Sequence, residues 1–169
     1  MGITDAIGKA AGVILRHQAP EDDRFLMHLF AENRRDQFEV LGDQMRAQIL
    51  EHQYRIQAHQ YEANYPEAFR LIVEANGETI GRLLLYPNQQ AIHIVDIALL
   101  PCWQRQGHGT RLLKSLLAYV AASDSFKEIS LNVEETNPAL TLYERLGFRL
   151  ASSRPPYLTM ICSPSLHAQ

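Results

Sequence analysis

The stretch Trp103–Leu117, WQRQGHGTRLLKSLL, sets Gly107 and Gly109 two residues apart and runs directly into an apolar-periodic segment. Glycine has no Cβ, so a turn built on it lets backbone come close to another group. Where such a turn opens a helix, the first-turn N–H groups lack intrahelical partners and the helix dipole favours negative charge, a setting suited to phosphate. Leu112, Leu113, Leu116, Leu117 and Val120 share one side of the segment that follows, which predicts an amphipathic helix. Two common nucleotide loops do not fit. A P-loop needs Gly-x4-Gly-Lys-Ser/Thr, and both the spacing and the lysine are missing. A dinucleotide fingerprint needs a third small residue where Leu112 stands, and its strand should come early in a βαβ unit. For glycines alone, a tight strand-to-helix connection without a ligand is the plain alternative.

Upstream of the turn the texture is extended. AFRLIVEANGETIGRLLLY is two β-like runs joined through Asn76-Gly77, a strong hairpin signal. NQQAIHIVDIALLP follows as the fourth strand, largely apolar and therefore central. Downstream, FKEISLNVEE alternates Ile129, Leu131 and Val133 with polar neighbours and predicts a fifth strand. NPALTLYERLGF predicts a short helix with Asn137 at the N-cap, Pro138 in the first turn and Gly147 at the stop. A final strand pair from Phe148 towards Ile161 is interrupted by Pro155-Pro156.

After a short N-terminal tail, Val13-Ile14-Leu15 makes one short apolar run that predicts a strand, and two helices follow. Pro20 starts a helix with an acidic first turn, Glu21, Asp22 and Asp23, and a buried face of Phe25, Leu26, Leu29 and Phe30. After a polar break at Asn33 to Asp36 a long helix is predicted from about Asp43 to Asn64, with Leu41, Met45, Ile49 and Ile56 as its apolar positions. The expected class is α/β (α+β): one domain with a mixed, mostly antiparallel sheet of six to seven strands flanked by about four helices. Residues 1–12 are expected to form a short tail, 13–163 the domain and 164–169 a second tail.

The 169 residues are 46% hydrophobic, enough for one core. A formal charge of −3 and the lack of a basic run argue against nucleic acid as a partner. Cys102 and Cys162 form no CxxC and have no companion histidine spacing, so neither a zinc site nor a disulfide framework is expected. No apolar run approaches a membrane span and the N-terminus lacks the pattern of a signal peptide. The expectation is a cytoplasmic protein without membrane partners.

Two spaced motifs carry a resemblance. Gln104-x-x-Gly107-x-Gly109, after a strand ending Leu99-Leu100-Pro101, resembles the coenzyme A pyrophosphate loop of the GCN5-related N-acetyltransferase (GNAT) superfamily. About thirty residues later, Asn137-Pro-Ala-Leu-x-Leu-Tyr143-x-x-Leu-Gly147-Phe148 resembles that family's second signature. The resemblance covers nearly the whole chain and is most specific from Asp96 to Phe148. It implies that the fourth and fifth strands splay apart to admit coenzyme A, with main-chain groups of Ile97, Ala98 and Leu99 pairing with the pantetheine. It implies that Gln104, Arg105, Gln106, Gly107, His108, Gly109 and Thr110 hold the pyrophosphate. Arg111, a turn further along, is expected to be a surface residue.

The implied reaction is direct acetyl transfer from acetyl-CoA to the primary amine of a small molecule or peptide, with no metal. Tyr143 stands at the family's general-acid position, with aromatic anchoring as its plain alternative. A base for the acceptor is sought first at Asp96, then at Glu134, His93 or water, and a hydrogen-bonded structural role explains Asp96 as readily. Asn137 caps its helix and is expected to touch pantetheine.

On the acceptor side, His52, Tyr54, Arg55, His59, Tyr61 and Tyr65 could shape a pocket, although a solvated helix face accounts for most of them. Members that acetylate protein N-termini commonly have Glu-Val where this chain has Asn132-Val133, which weakens that assignment. A homodimer is possible through the YLTMI strand. The competing class is a non-catalytic acyl-CoA-binding module on the same fold.

Overall fold

A computed structural model describes residues 2–165. Seven strands form one sheet in the order β1-β2-β3-β4-β5-β7-β6. They are β1 Ile14–His17, β2 Phe69–Ala75, β3 Glu78–Asn88, β4 Ala91–Leu99, β5 Glu128–Glu134, β6 Arg149–Arg154 and β7 Tyr157–Cys162. All neighbours are antiparallel except β4 and β5, which run parallel. The five α-helices are α1 Ile3–Ala11, α2 Asp23–Glu32, α3 Asp43–Asn64, α4 His108–Ala121 and α5 Leu140–Arg145.

The sheet separates two apolar layers. Leu83, Leu85, Ile92, Ile94, Ile129 and Leu131 pack beneath α1 and α4. Ile72 alone among fully buried strand residues joins Leu26, Leu29, Phe30, Leu50 and Tyr54 under α2 and α3. The second layer is thinner, and its polar space becomes the candidate site.

Two expectations need correction. Residues 3–11 are a helix rather than part of a tail: Ile3, Ile7 and Ala11 recur at every fourth position on one face, and Ile7 is fully buried against the α4 layer. Residues 166–169 of the expected C-terminal tail lie outside the described residues; Pro164 and Ser165 carry no regular structure. Helix α3 spans the expected residues, but its buried face is Leu50 and Tyr54, while Met45 and Ile56 are exposed. The face turned towards the sheet is aromatic and polar, so apolar periodicity picked out the wrong side.

Strand β4 contains a bulge. Leu84 pairs with Asp96 and Leu85 with Ile94, leaving Val95 as the extra residue. Simple alternation would put Asp96 on the same apolar face as Ile92 and Ile94. The bulge reverses the phase, so Ile97 and Leu99 join the α4 layer while Asp96 and Ala98 face α2 and α3.

Candidate active site

The turn before α4 presents donors outward. Gly107 has φ 87°, a conformation suited to glycine, and precedes the first helical residue. Arg105 is also left-handed, at φ 59°. The backbone N–H groups from Arg105 to Thr110 take no acceptor among the described residues, and the ladder begins with Arg111 donating to the Gly107 carbonyl. Gly109 has open space where a Cβ would stand, its nearest neighbour being Leu99 Cδ1 at 3.9 Å. These donors at a helix N-terminus suit an anion.

The side chains of that turn are arranged differently from expectation. The Gln104 amide donates to Asn33 Oδ1 at 2.7 Å and to the Leu99 carbonyl at 2.9 Å, and Asn33 Nδ2 donates to the same carbonyl at 3.0 Å. Gln104 therefore ties the turn to α2 and β4 and does not aim its side chain at phosphate. Gln106, exposed on the turn, donates to the Cys102 carbonyl. Arg105 is exposed and has no side-chain partner among the described residues. Arg111, expected to be an ordinary surface residue, folds back over the turn: Nη2 lies 3.1 Å from His108 Nδ1 and Nη1 3.4 Å from the Gln106 carbonyl. The signal was present in the i,i+3 spacing of His108 and Arg111. His108 packs against Trp103, and burial and then Arg111 pull its pKa below the ordinary value.

A cleft opens beside this turn. Pairing of β4 with β5 runs from Ala91–Glu128 to Ile94–Leu131 and stops. Beyond it, Ile97, Ala98 and Leu99 pair only with β3, through Leu83, Arg82 and Gly81. Gly81 permits this register, because a Cβ there would overlap the Ala98 carbonyl oxygen.

On the α2–α3 face of β4, Asp96 meets Arg82. Arg82 Nε and Nη2 both approach Asp96 Oδ2 at 2.7 Å, and Nη2 also donates to Gln57 Oε1 at 3.0 Å. Burial opposes the Arg82 charge, but Asp96 outweighs it by charge and hydrogen bond and holds the guanidinium above its usual pKa. Asp96 Oδ1 has no partner among the described residues. Tyr61 lies under the Arg82 guanidinium at 5.3 Å, and burial pushes its pKa well up. Asp96, Arg82, Gln57, Asn33 and Arg34 line a cavity of about 40 Å³.

Tyr143 is buried against Phe148, with ring centroids 5.8 Å apart, and burial together with the Asp96 charge pushes its phenol to about 12. Asn137 Oδ1 accepts from the Ala139 N–H at 2.9 Å, which caps the turn leading into α5. His93 Nδ1 lies 2.9 Å from Ser130 Oγ and its ring stacks on Tyr65, and burial pulls its pKa down. Glu134 and Asn132 are exposed, and Asn132 accepts from Thr159.

Of the α3 side chains, Tyr54 and Arg55 both bond Asp23, whereas His52 and His59 are exposed. Tyr61 alone of that group belongs to the Asp96 cluster. Arg34 and Gln57 escaped sequence reading because a polar residue in a turn or on a mixed helix face gives no periodic signal.

The model of the acetyltransferase (GNAT) family matches residues 26–148. The chain belongs to the GNAT family. A GNAT relative, an N-alpha-acetyltransferase of Sulfurisphaera tokodaii, is 30% identical over 49% of this chain. The chain spans only 58% of that relative's length. A putative [ribosomal protein bS18]-alanine N-acetyltransferase of Bacillus subtilis is 26% identical over 68% of this chain and 84% of its own. Among solved GNAT folds, the PaiA N-acetyltransferase of Thermoplasma acidophilum in complex with coenzyme A superimposes with a TM-score of 0.66 at 16% identity, covering 89% of this chain and 98% of that one. The GNAT sheet, with β4 and β5 parallel and then parting, is thus the architecture expected from the motifs.

Proposed function

We propose that the protein is an acetyl-CoA-dependent N-acetyltransferase acting on a primary amine of a small molecule or peptide. The observation that carries this reading is the run of unpartnered N–H groups from Arg105 to Thr110, set at the end of a strand whose edge β5 leaves open. Acetyl-CoA, when bound, supplies an activated thioester. The turn and the first residues of α4 would hold its pyrophosphate, and the free edge of Ile97 to Leu99 would offer main-chain groups to its pantetheine arm, with Asn137 beside it.

Asp96 Oδ1 is open to receive an amine, while the bonds from Arg82 fix the carboxylate's orientation. Water or Glu134 completes proton removal. Tyr143 remains a phenol at neutral pH and so can donate a hydrogen bond to a departing sulfur. A homodimer and a cytoplasmic setting complete the proposal, the free Cys102 and Cys162 fitting a reducing compartment.

The same turn and open strand edge would also serve a second reading, a non-catalytic acyl-CoA-binding module, since a fold does not fix an activity. Thiol release during incubation with acetyl-CoA and a panel of amines separates the two. The enzyme releases coenzyme A in an amine-dependent manner, while a binding module is stabilised by acetyl-CoA and releases none.

A further inference from the structure

Arg34 follows α2 and lines the cavity beside Asp96. Its guanidinium lies 3.7 Å over the Phe30 ring, and its only hydrogen bond among the described residues is a long one, 3.4 Å, from Nη1 to the Phe30 carbonyl. The more deeply buried Arg82 has Asp96 as its counter-ion, and the half-buried Arg70 donates to three carbonyl oxygens. Arg34 has no acid within ion-pair distance among the described residues. Stacking on Phe30 occupies a face of the guanidinium and leaves its N–H edge free, the geometry that receives a carboxylate by two parallel bonds. Burial pulls the Arg34 pKa down, with Asp96 and Tyr61 opposing that, so an anion arriving there relieves an uncompensated charge.

We infer that the acceptor is an amine that also carries a carboxylate, with the carboxylate held by Arg34 and the ammonium facing Asp96 Oδ1. The inference rests on the acetyltransferase reading of this site. Arg34 and Asp96 line one cavity, so the two charged ends of a short amino acid can meet them together. A polyamine fits poorly, since its second ammonium would lie beside Arg34 and Arg82 with only Asp96 between them. In the reaction, the amine nitrogen forms a bond to the acetyl carbon and the thioester C–S bond breaks. The nitrogen, which arrives as an ammonium, gives up two protons, one that ends on the sulfur and one passed to solvent by way of the base, leaving an N-acetylated acid, coenzyme A and one released proton. The ammonium charge is then gone, which removes the attraction to Asp96 and favours release.

The test uses amines matched except for the acid: glycylglycine against glycylglycinamide and β-alanine against β-alaninamide, with spermidine added. Thiol release should favour each acid by about 10-fold or more in kcat/KM, the scale of one charge-assisted hydrogen-bond pair. Arg34→Gln should collapse that ratio through KM, and Arg34→Lys should retain part of it. Equal rates for the paired amines, a preference for spermidine, or a ratio untouched by Arg34→Gln overturns the inference. A second readout is independent of turnover: the NMR signal of Arg34 Nε–H, titrated with each amine. If no amine releases thiol but the acids alone move that signal, acetyl transfer fails and the carboxylate site stands. If acids and amides move it equally, or neither moves it, the carboxylate site fails.

Discussion

At Tyr143 and Asp96 the chemistry and the packing can be separated by substitution. Tyr143→Phe keeps the ring against Phe148 and removes only the hydroxyl. We predict normal folding, unchanged acetyl-CoA affinity by calorimetry and a kcat lower by about 100-fold, the usual scale of a general acid; undiminished turnover refutes the role. Asp96→Asn leaves the buried Arg82 without its counter-ion. Removing one member of a buried pair costs about 3–5 kcal/mol, and since a quarter of the Asp96 side chain is exposed we expect about 2–3 kcal/mol in urea unfolding. Arg82→Leu combined with Asp96→Leu should recover most of that stability but no activity. A carboxylate in an apolar run was visible from sequence as an anomaly. Its partner was not, because Arg82 lies fourteen positions away across a hairpin, and the bulge at Val95 that brings the two onto one face has no sequence mark.

Among elements, the α4 turn was the most legible, since paired glycines before an apolar helix state a backbone requirement directly. Gly109→Ala tests it. The space for a methyl is open and alanine is the better helix former, so the apoprotein should be as stable or more so by up to about 1 kcal/mol. Coenzyme A affinity should fall by about 10-fold or more, because the methyl stands among the anion donors. What sequence could not give there was the use of side chains: Gln104 is committed to Asn33 and Leu99, contacts set by how α2 lies against β4. Helix α3 was legible in extent and not in facing, since Tyr54 points to Asp23 and Tyr61 to Arg82 while Met45 meets solvent.

The junction of β1 with α2 makes a pH prediction. Arg16 donates two hydrogen bonds to Asp22 and holds its carboxyl below the ordinary range against the opposing effect of burial. Tyr54, and then Arg55, shift Asp23 the same way, burial again opposing. A lowered folded-state pKa contributes stability that is present above the unfolded value, about 3.9, and is lost as pH falls through the folded value. The urea midpoint should therefore hold down to about pH 4–5 and drop below it, with a shallower drop in Asp22→Asn.

For the molecule as a whole, the succession of elements from β2 to β7 was legible from turn signals and the parting of β4 from β5 from the family resemblance, whereas the place of β7 between β5 and β6 carried no local mark. The first helix was missed because glycines and a short apolar pattern resemble a tail until α4 supplies a surface for them. Ile7→Ala should cost about 2–5 kcal/mol, measured by urea unfolding, since Ile7 is fully buried between α1 and the sheet.

The account turns on one placement: the donor enters where β4 and β5 part and its phosphates meet the turn before α4. Amide hydrogen exchange with and without coenzyme A tests this directly. The account predicts slowed exchange in residues 95–99 and 105–110 with little change in β1 and β2. Protection absent from both segments, or concentrated elsewhere, would contradict it.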